Sequence, residues 1–484
     1  MTLKPDDRQE GGYEKDSMPL LVKRVQLPAT LRNLFSRSAH RGAERTRRAG
    51  LTGMTSLLSQ GLAIAISLVS VPLTLHYLGP ERYGVWLTIS SIFAWLMIMD
   101  FGFAGNALVN ILSEAEGKDD RAAAQKCVAT AFWSLLGIAC LLAIALVVIF
   151  YFVPPRTMFR VSSAVSISEL NRAVVISVAS FALMLPLSII NAIYRGRQEG
   201  FLADLWLIAA NLAALIALIA VCQHKGGLPA LVVAVSSARV TMGVASGIYL
   251  FGFHHRWLRP RPSAIGMETF RRLADLGGKY VITQLSGLAV TQSAPIIITQ
   301  LLGPSQVFVF VVASRLLQLP FTVSYLATAP LVSAYGEAQS RGDWDWLWNT
   351  WQRSFNIAAF GGGLLIVLLA ITAQKVILLW AGPLAVPSPP LIFWLSVYGF
   401  FGVVISPVSN LLLGVQRVAA QARINSVTAV ANIAFAVFFG RIYGLPGVAM
   451  AMALSLVVIN GIGQYREVWE FRATAARAEP VLDI

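Results

Sequence analysis

Charge and cysteine are both scarce in this sequence. Only 13% of the 484 residues are charged and 56% are hydrophobic, whereas soluble globular proteins carry about 25% charged residues. This leaves too little polar surface for soluble domains, and the high hydrophobicity excludes disorder. The cysteines, Cys127, Cys140 and Cys222, lie in or beside apolar runs without metal-binding or redox spacing, which indicates packing roles.

Apolar stretches of about 20 residues recur along the chain, and each is long enough to cross a bilayer as a helix. An outer-membrane barrel would instead show alternating strands of about ten residues. We therefore predict an all-α polytopic membrane protein with twelve transmembrane helices. The predicted spans, numbered 1 to 12, cover residues 51–77, 84–112, 127–153, 172–194, 203–222, 229–252, 279–302, 305–332, 354–379, 391–413, 424–440 and 446–465.

The basic residues are distributed unequally between the predicted loops. If both termini are cytoplasmic, 29 of the 38 lysines and arginines lie on the cytoplasmic side, 7 lie on the other side and 2 lie within spans. This distribution follows the positive-inside rule and predicts N-in, C-in topology. The outer loops are short, so none can contain a soluble catalytic domain.

An internal repeat divides the chain into two halves. The Leu-Gly-Pro sequence at 78–80 recurs at 302–304, and the Gly-Leu-Pro sequence at 227–229 recurs at 444–446. We predict a basic cytoplasmic tail (1–50), a first six-helix half (51–253), a basic cytoplasmic linker (254–278), a second six-helix half (279–465) and a cytoplasmic C-terminal tail (466–484). Six spans per half imply a pseudo-two-fold axis along the membrane normal and a central cavity, as in transporters.

Four short segments resemble the motifs of one transporter family: 78–84 (LGPERYG), 100–103 (DFGF), 302–304 (LGP) and 313–316 (ASRL). They are similar to the motifs of Wzx-like polysaccharide and O-antigen flippases. These belong to the polysaccharide transporter family of the multidrug/oligosaccharidyl-lipid/polysaccharide exporter superfamily. The resemblance covers about residues 50–465. Span 7 departs from it, because it reads TQSAP at 291–295 where family members often carry an acidic residue.

The resemblance implies an alternating-access flippase, not an enzyme, in the bacterial inner membrane. Its substrate would be an undecaprenyl-pyrophosphate-linked oligosaccharide destined for O-antigen, capsule or exopolysaccharide. It implies no cofactor and no nucleic acid. The partners it implies are membrane lipids, a polysaccharide polymerase and a chain-length regulator.

Charged and amide residues within or beside the spans are the candidate substrate ligands. Arg315 in span 8 and Arg239 in span 6 are costly within a bilayer unless they face a cavity or a partner, and guanidinium groups bind phosphate oxygens in pairs. Lys279 begins span 7 at the predicted cytoplasmic face. Interface positions or structural ion pairs remain the alternative for these three cations. Three amides could bind the glycan or bond between helices: Gln284, Gln292 and Asn106.

Three further residues are candidates for coupling or gating. Asp100, late in span 2, could pair with an arginine, titrate or cap a helix break before Gly102. Pro72 and Pro295 occupy equivalent positions in spans 1 and 7, where proline removes a backbone hydrogen bond and bends a helix. Paired bends could act as hinges.

Other functions fit the residues less well. A drug/cation antiporter of the same superfamily needs acids in its cavity, whereas Asp100 is the only deep acid in this sequence. A peptidoglycan lipid-precursor flippase often has more than twelve spans. A membrane glycosyltransferase needs catalytic residues in a large loop or domain, and the Asp-x-Asp sequence at 343–345 is expected in a short solvated loop.

Overall fold

A computed structural model describes residues 29–161, 165–224 and 226–478. Within these ranges the chain is almost entirely helical and has no strand. The longer helices are Ala29–Met97, Leu108–Gly117, Arg121–Phe152, Ile167–Leu187, Ile189–Gly196, Gly200–His224, Gly227–Ile248, Met267–Leu302, Pro304–Leu317, Leu319–Thr328, Leu331–Arg341, Trp344–Asn356, Gly363–Ala381, Pro389–Gly414, Val418–Tyr443, Leu445–Leu454 and Ile462–Ala478. Short 3-10 or π segments are Ile98–Asp100, Phe103–Ala107, Tyr249–His254, Arg256–Leu258, Pro262–Ala264, Ile357–Gly362, Pro383–Ala385 and Ser455–Gly461, and Pro155–Phe159 is a single helical turn.

Twelve membrane crossings follow from the lengths of the described helices. Ten are long and apolar enough to cross a membrane, and the pair Pro304–Leu317 and Leu319–Arg341, bent by 43°, makes an eleventh. The first of the ten, Gly50–Asp100, has 51 residues and would be about 77 Å long if straight, more than twice the thickness of a bilayer core. A non-helical residue, Gly79, divides it into spans 1 and 2. The predicted fold class is therefore confirmed.

The repeated Leu-Gly-Pro sequence makes the same sharp turn in each half. Gly79 has φ 74° and ψ 172°, and Gly303 has φ 90° and ψ 161°. Backbone in this region strains residues that carry a Cβ, so glycine is required. Pro80 and Pro304 then begin the next helix, where proline needs no hydrogen-bond partner for its nitrogen. The repeat is thus a pair of equivalent hairpin turns.

Several helices extend beyond the predicted spans. Span 7 belongs to the helix Met267–Leu302, so half of the predicted linker 254–278 is helical. The first helix begins at Ala29, within the predicted tail, while residues 1–28 of that tail lie outside the described residues. The Asp-x-Asp sequence at 343–345 lies at the start of a helix rather than in a loop. The Asp343 carboxylate accepts a hydrogen bond from the Trp346 amide at 3.2 Å and caps the helix Trp344–Asn356.

The distribution of the apolar cores shows how the halves meet. We call the face where span 1 begins and span 12 ends the terminal side. Away from it, one core unites both halves, from Leu78 and Leu228 to Val307 and Val448. On the terminal side, the core of the first half, which includes Leu112, is separate from a core of the second half. The halves are therefore packed together on the side opposite the termini.

Polar contacts reinforce the join between the halves. The Thr88 and Thr299 hydroxyl oxygens are 2.6 Å apart, and both side chains are buried. The Trp380 indole nitrogen donates to the Leu68 carbonyl at 2.8 Å. We call these contacts the inter-half seam.

Candidate functional site

A cavity of about 490 Å³ lies within the membrane-spanning part of the first half. Spans 1, 2, 4, 5 and 6 supply most of its wall, and span 8 supplies Arg315. Many of its polar lining groups are hydroxyls, and aliphatic and aromatic side chains line the rest. The lining includes Ser67, Ser70, Thr74, Tyr83, Trp86, Ser90, Phe93, Ser177, Ser180, Phe181, Asn211, Ser236, Arg239 and Arg315.

Arg315 reaches from the second half into the cavity of the first. Its Nη1 donates to the Ser67 hydroxyl of span 1. The residue lies in the last turn of Pro304–Leu317, and the negative end of a helix dipole stabilises a cation there. The helix ends at this depth because Pro320 at the start of the next segment cannot continue the backbone ladder. The broken span thus presents a guanidinium group to the cavity.

Arg239 is the second guanidinium group in the same cavity. It follows Ser236 by three residues, which places both side chains on one face of span 6. Among the described residues, no carboxylate lies within ion-pair distance of Arg239 or Arg315, and Arg239 has no hydrogen-bond partner. Two uncompensated cations in a hydroxyl-lined cavity are suited to an anion.

The structure brings together two of the six predicted substrate ligands, Arg315 and Arg239. Gln284 lies elsewhere, since its amide nitrogen is 3.3 Å from where a Cβ on Gly105 would sit. Gln292 is half-buried on span 7 and does not line the cavity. The side chains of Lys279 and Asn106 lie outside the described residues. A role in substrate binding remains a prediction for all six.

Of the predicted coupling or gating residues, Asp100 has the most distinctive surroundings. The residue is buried, and its carboxylate accepts a hydrogen bond from the Gly102 amide at 2.8 Å. It therefore caps the break in span 2, where Phe101 and Gly102 have positive φ. Pro72 and Pro295 lie inside continuous helical segments, and their hinge role remains a prediction.

The cavity hydroxyls were missed by reasoning from the sequence. Ser67, Ser70 and Thr74 recur at intervals of three and four residues along span 1, and Ser177 and Ser180 are three apart on span 4. Such spacing places side chains on one helix face. A polar stripe in an otherwise apolar span was the available signal.

Comparison with known proteins agrees with this architecture. The family model described as polysaccharide biosynthesis protein matches residues 52–332. No curated protein matches the chain in sequence.

Among solved structures, an inward-facing multidrug resistance MATE family transporter of the MOP superfamily has a TM-score of 0.73 at 16% identity, over 86% of this chain and 96% of that one. The lipid II flippase MurJ in an inward closed conformation has a TM-score of 0.68 at 15% identity, over 86% and 87% of the two chains. A MOP superfamily transporter from Pyrococcus furiosus, whose binding pocket is described as reversed in polarity, has a TM-score of 0.57 at 16% identity, over 87% and 95%. At such identities the likeness shows a shared fold.

The family model covers more than half of the chain, and it ends only after the helix break that positions Arg315. The chain shares its fold with this MATE family transporter and with MurJ. The chain belongs to the polysaccharide biosynthesis protein family.

Proposed function

We propose that this protein is a flippase that moves undecaprenyl-pyrophosphate-linked oligosaccharides across the bacterial inner membrane by alternating access. The supporting observation is the pair of guanidinium groups, Arg315 and Arg239, in one cavity without a carboxylate partner among the described residues. A pyrophosphate headgroup supplies the missing negative charge. Charge-assisted, paired hydrogen bonds from the arginines compensate for the removal of the pyrophosphate from water.

The remaining lining fits the first sugars next to the pyrophosphate. Sugar hydroxyls exchange hydrogen bonds with serine, threonine and asparagine side chains, and sugar ring faces pack against aromatic rings such as Trp86 and Phe181. A volume of about 490 Å³ is in the range of ordinary ligand pockets, so the distal glycan extends beyond the cavity.

The two-core arrangement fits one step of the transport cycle. With both termini in the cytoplasm, the joined side of the halves faces outward and the separated cores face the cytoplasm. The substrate then enters from the inner leaflet. Arg315, which contacts Ser67 across the halves, is placed to sense its arrival.

Arginine substitution in reconstituted vesicles tests the proposal. The rate of flipping of a labelled lipid-linked oligosaccharide is measured for Arg315→Ala and Arg239→Ala. Loss of a hydrogen-bonded charge contact costs about 1.5–3 kcal/mol, so each variant should transport at least about tenfold more slowly. Arg315→Lys should retain part of the rate because it keeps the charge but not the paired geometry.

Arg441→Ala is the matched control, because Arg441 is exposed in the last turn of span 11 and does not line the cavity. It should transport at the wild-type rate. Wild-type transport by both cavity variants, with membrane insertion unchanged, would exclude an anionic headgroup from this cavity. A drug or cation would then be the cargo to test.

Two flippase substrates share the pyrophosphate, so the arginines cannot distinguish them. Deleting the gene in the native host separates the oligosaccharide lipid from a peptidoglycan lipid precursor. We expect lipid-linked oligosaccharide to accumulate on the cytoplasmic face and surface polysaccharide to be lost. Accumulation of the peptidoglycan precursor instead would replace the proposed substrate.

A further inference from the structure

A cluster of two histidines and a glutamate lies on the terminal side of the first half, outside the cavity. Glu199 occupies the turn between spans 4 and 5 and is buried. His254 ends the helical part of span 6, and His255 begins the connection to the second half. The Glu199 Oε2 atom is 3.1 Å from Nε2 of His254 and 3.1 Å from Nε2 of His255.

The spacing of these three atoms fits a first-row metal ion. Zinc binds histidine nitrogen and carboxylate oxygen at about 2.0–2.2 Å in tetrahedral sites, so neighbouring donor atoms are about 3.3 Å apart. Both separations from the Glu199 oxygen are close to this value, and the three donor atoms lie within 4.8 Å of one another. The backbone holds the ligands in place, because the Glu199 amide donates to the Tyr194 carbonyl at 2.7 Å and the His255 amide donates to the Leu250 carbonyl at 2.6 Å.

Two arginines compete with a metal ion for these ligands. Arg197 Nε lies 3.1 Å from His255 Nε2, so it donates to the lone pair that a metal would use. Arg48 Nη1 lies 3.5 Å from Glu199 Oε1, and the Arg48 side chain is 36% exposed. Arg197 also forms an ion pair with Glu116 and lies over the Trp257 ring, so it has partners other than His255.

His255 Nε2 cannot satisfy both of its neighbours. If Nε2 is unprotonated it can accept a hydrogen bond from Arg197, but it then has no proton to donate to the Glu199 carboxylate. If Nε2 is protonated it can donate to Glu199, but its N–H then faces the N–H of Arg197. A cation that accepts the ring lone pair and binds the carboxylate removes this conflict. We propose that Glu199, His254 and His255 form a zinc-binding site that fixes the start of the inter-half connection to the turn between spans 4 and 5. The site does not depend on the proposed transport function.

Cobalt titration tests the site directly. The untagged protein in detergent, stripped with a chelator, is titrated with Co²⁺ while its visible d–d absorption is followed. We expect an intense tetrahedral spectrum that saturates at about one ion per chain and is abolished by added Zn²⁺. The double variant His254→Ala/His255→Ala should give no such spectrum. His224→Ala, which changes a histidine outside the cluster at the end of span 5, should behave as the wild type.

Arg197→Gln provides a second test that depends on gain rather than loss. Removing the competing donor should tighten Co²⁺ binding by about tenfold. Absence of a saturable spectrum in both the wild type and Arg197→Gln would overturn the site. So would a spectrum that persists in the double variant. The melting temperature without metal shows whether each variant is folded. If the double variant is unfolded, Glu199→Gln replaces it in the test, because it keeps the side-chain shape; it should give no tetrahedral Co²⁺ spectrum.

Discussion

At the residue scale, Glu169 joins three elements of the first half on the side opposite the termini. Its carboxylate accepts from Arg82 Nε at 3.0 Å and from Arg82 Nη2 at 3.2 Å. It also accepts from the Leu228 amide at the start of span 6 at 3.1 Å. Since Glu169 is in the first turn of span 4, one carboxylate links spans 2, 4 and 6.

Replacing this carboxylate by an amide is expected to loosen that link. Glu169→Gln removes the charge and leaves Arg82 without this carboxylate, which should reduce the free energy of unfolding by about 1–3 kcal/mol. The measurement is the melting temperature in detergent. Gln306 follows Gly303 as Arg82 follows Gly79 and is exposed, so Gln306→Ala is the control and should melt with the wild type. An unchanged melting temperature for Glu169→Gln would contradict the stabilising role.

The cavity residues differ in how visible they are in the sequence. Arg315 and Arg239 could be singled out because a charge in an apolar span is rare and costly. Hydroxyls such as those of Thr74 and Ser180 could not be singled out one by one, since a helix satisfies them internally: the Thr74 hydroxyl donates to the Ser70 carbonyl at 2.6 Å, and the Ser180 hydroxyl donates to the Ile176 carbonyl at 2.7 Å. A hydroxyl in a span therefore carries no energetic signature of function.

At the scale of elements, hydropathy predicted the twelve spans but not where their helices stop. Hydrophobicity reports the segment within the bilayer, whereas helix ends depend on caps and on polar residues beyond it. The helix Met267–Leu302 continues through polar residues such as Arg271 and Arg272, which hydropathy assigns to a loop. The break at Gln318 lies within an apolar run and leaves no mark on hydropathy.

The extension of this helix creates a close backbone contact between the predicted linker and span 2. Gly102 lies after the capped break in span 2 and faces Gly277 of the extended helix. A Cβ added to Gly102 would lie 2.7 Å from the Gly277 carbonyl oxygen, and one added to Gly277 would overlap the Phe101 carbonyl. The two helices therefore approach as closely as they do because both positions are glycine.

Two adjacent glycines allow a matched test of this contact. Gly277→Ala should separate the helices and lower the unfolding free energy by about 1–3 kcal/mol. Gly278→Ala meets nothing within 4 Å and should be neutral or stabilising by up to about 1 kcal/mol, because alanine favours helix more than glycine. Melting temperatures compare the two. Equal effects would show that the close approach contributes nothing to stability.

At the scale of the whole molecule, the inter-half seam and the shared core hold the halves together on one side. The sequence predicted two equivalent halves from the repeat, since equivalent turns recur at Gly79 and Gly303. It could not predict which side is joined. That depends on small differences between two packings of the same helices.

Alternating access requires the seam to open during transport, and a reversible bond across it tests this. Thr88 and Thr299 approach each other with hydroxyl oxygens 2.6 Å apart, so paired cysteines there are within reach of a disulfide. In a chain whose native cysteines are alanine, Thr88→Cys/Thr299→Cys should lose flipping on oxidation and recover it on reduction, because the seam is then locked. Each single-cysteine variant should be unaffected by oxidation. Undiminished flipping by the fully cross-linked protein would show that the seam stays closed throughout transport, and the halves would then have to admit and release substrate on the terminal side alone.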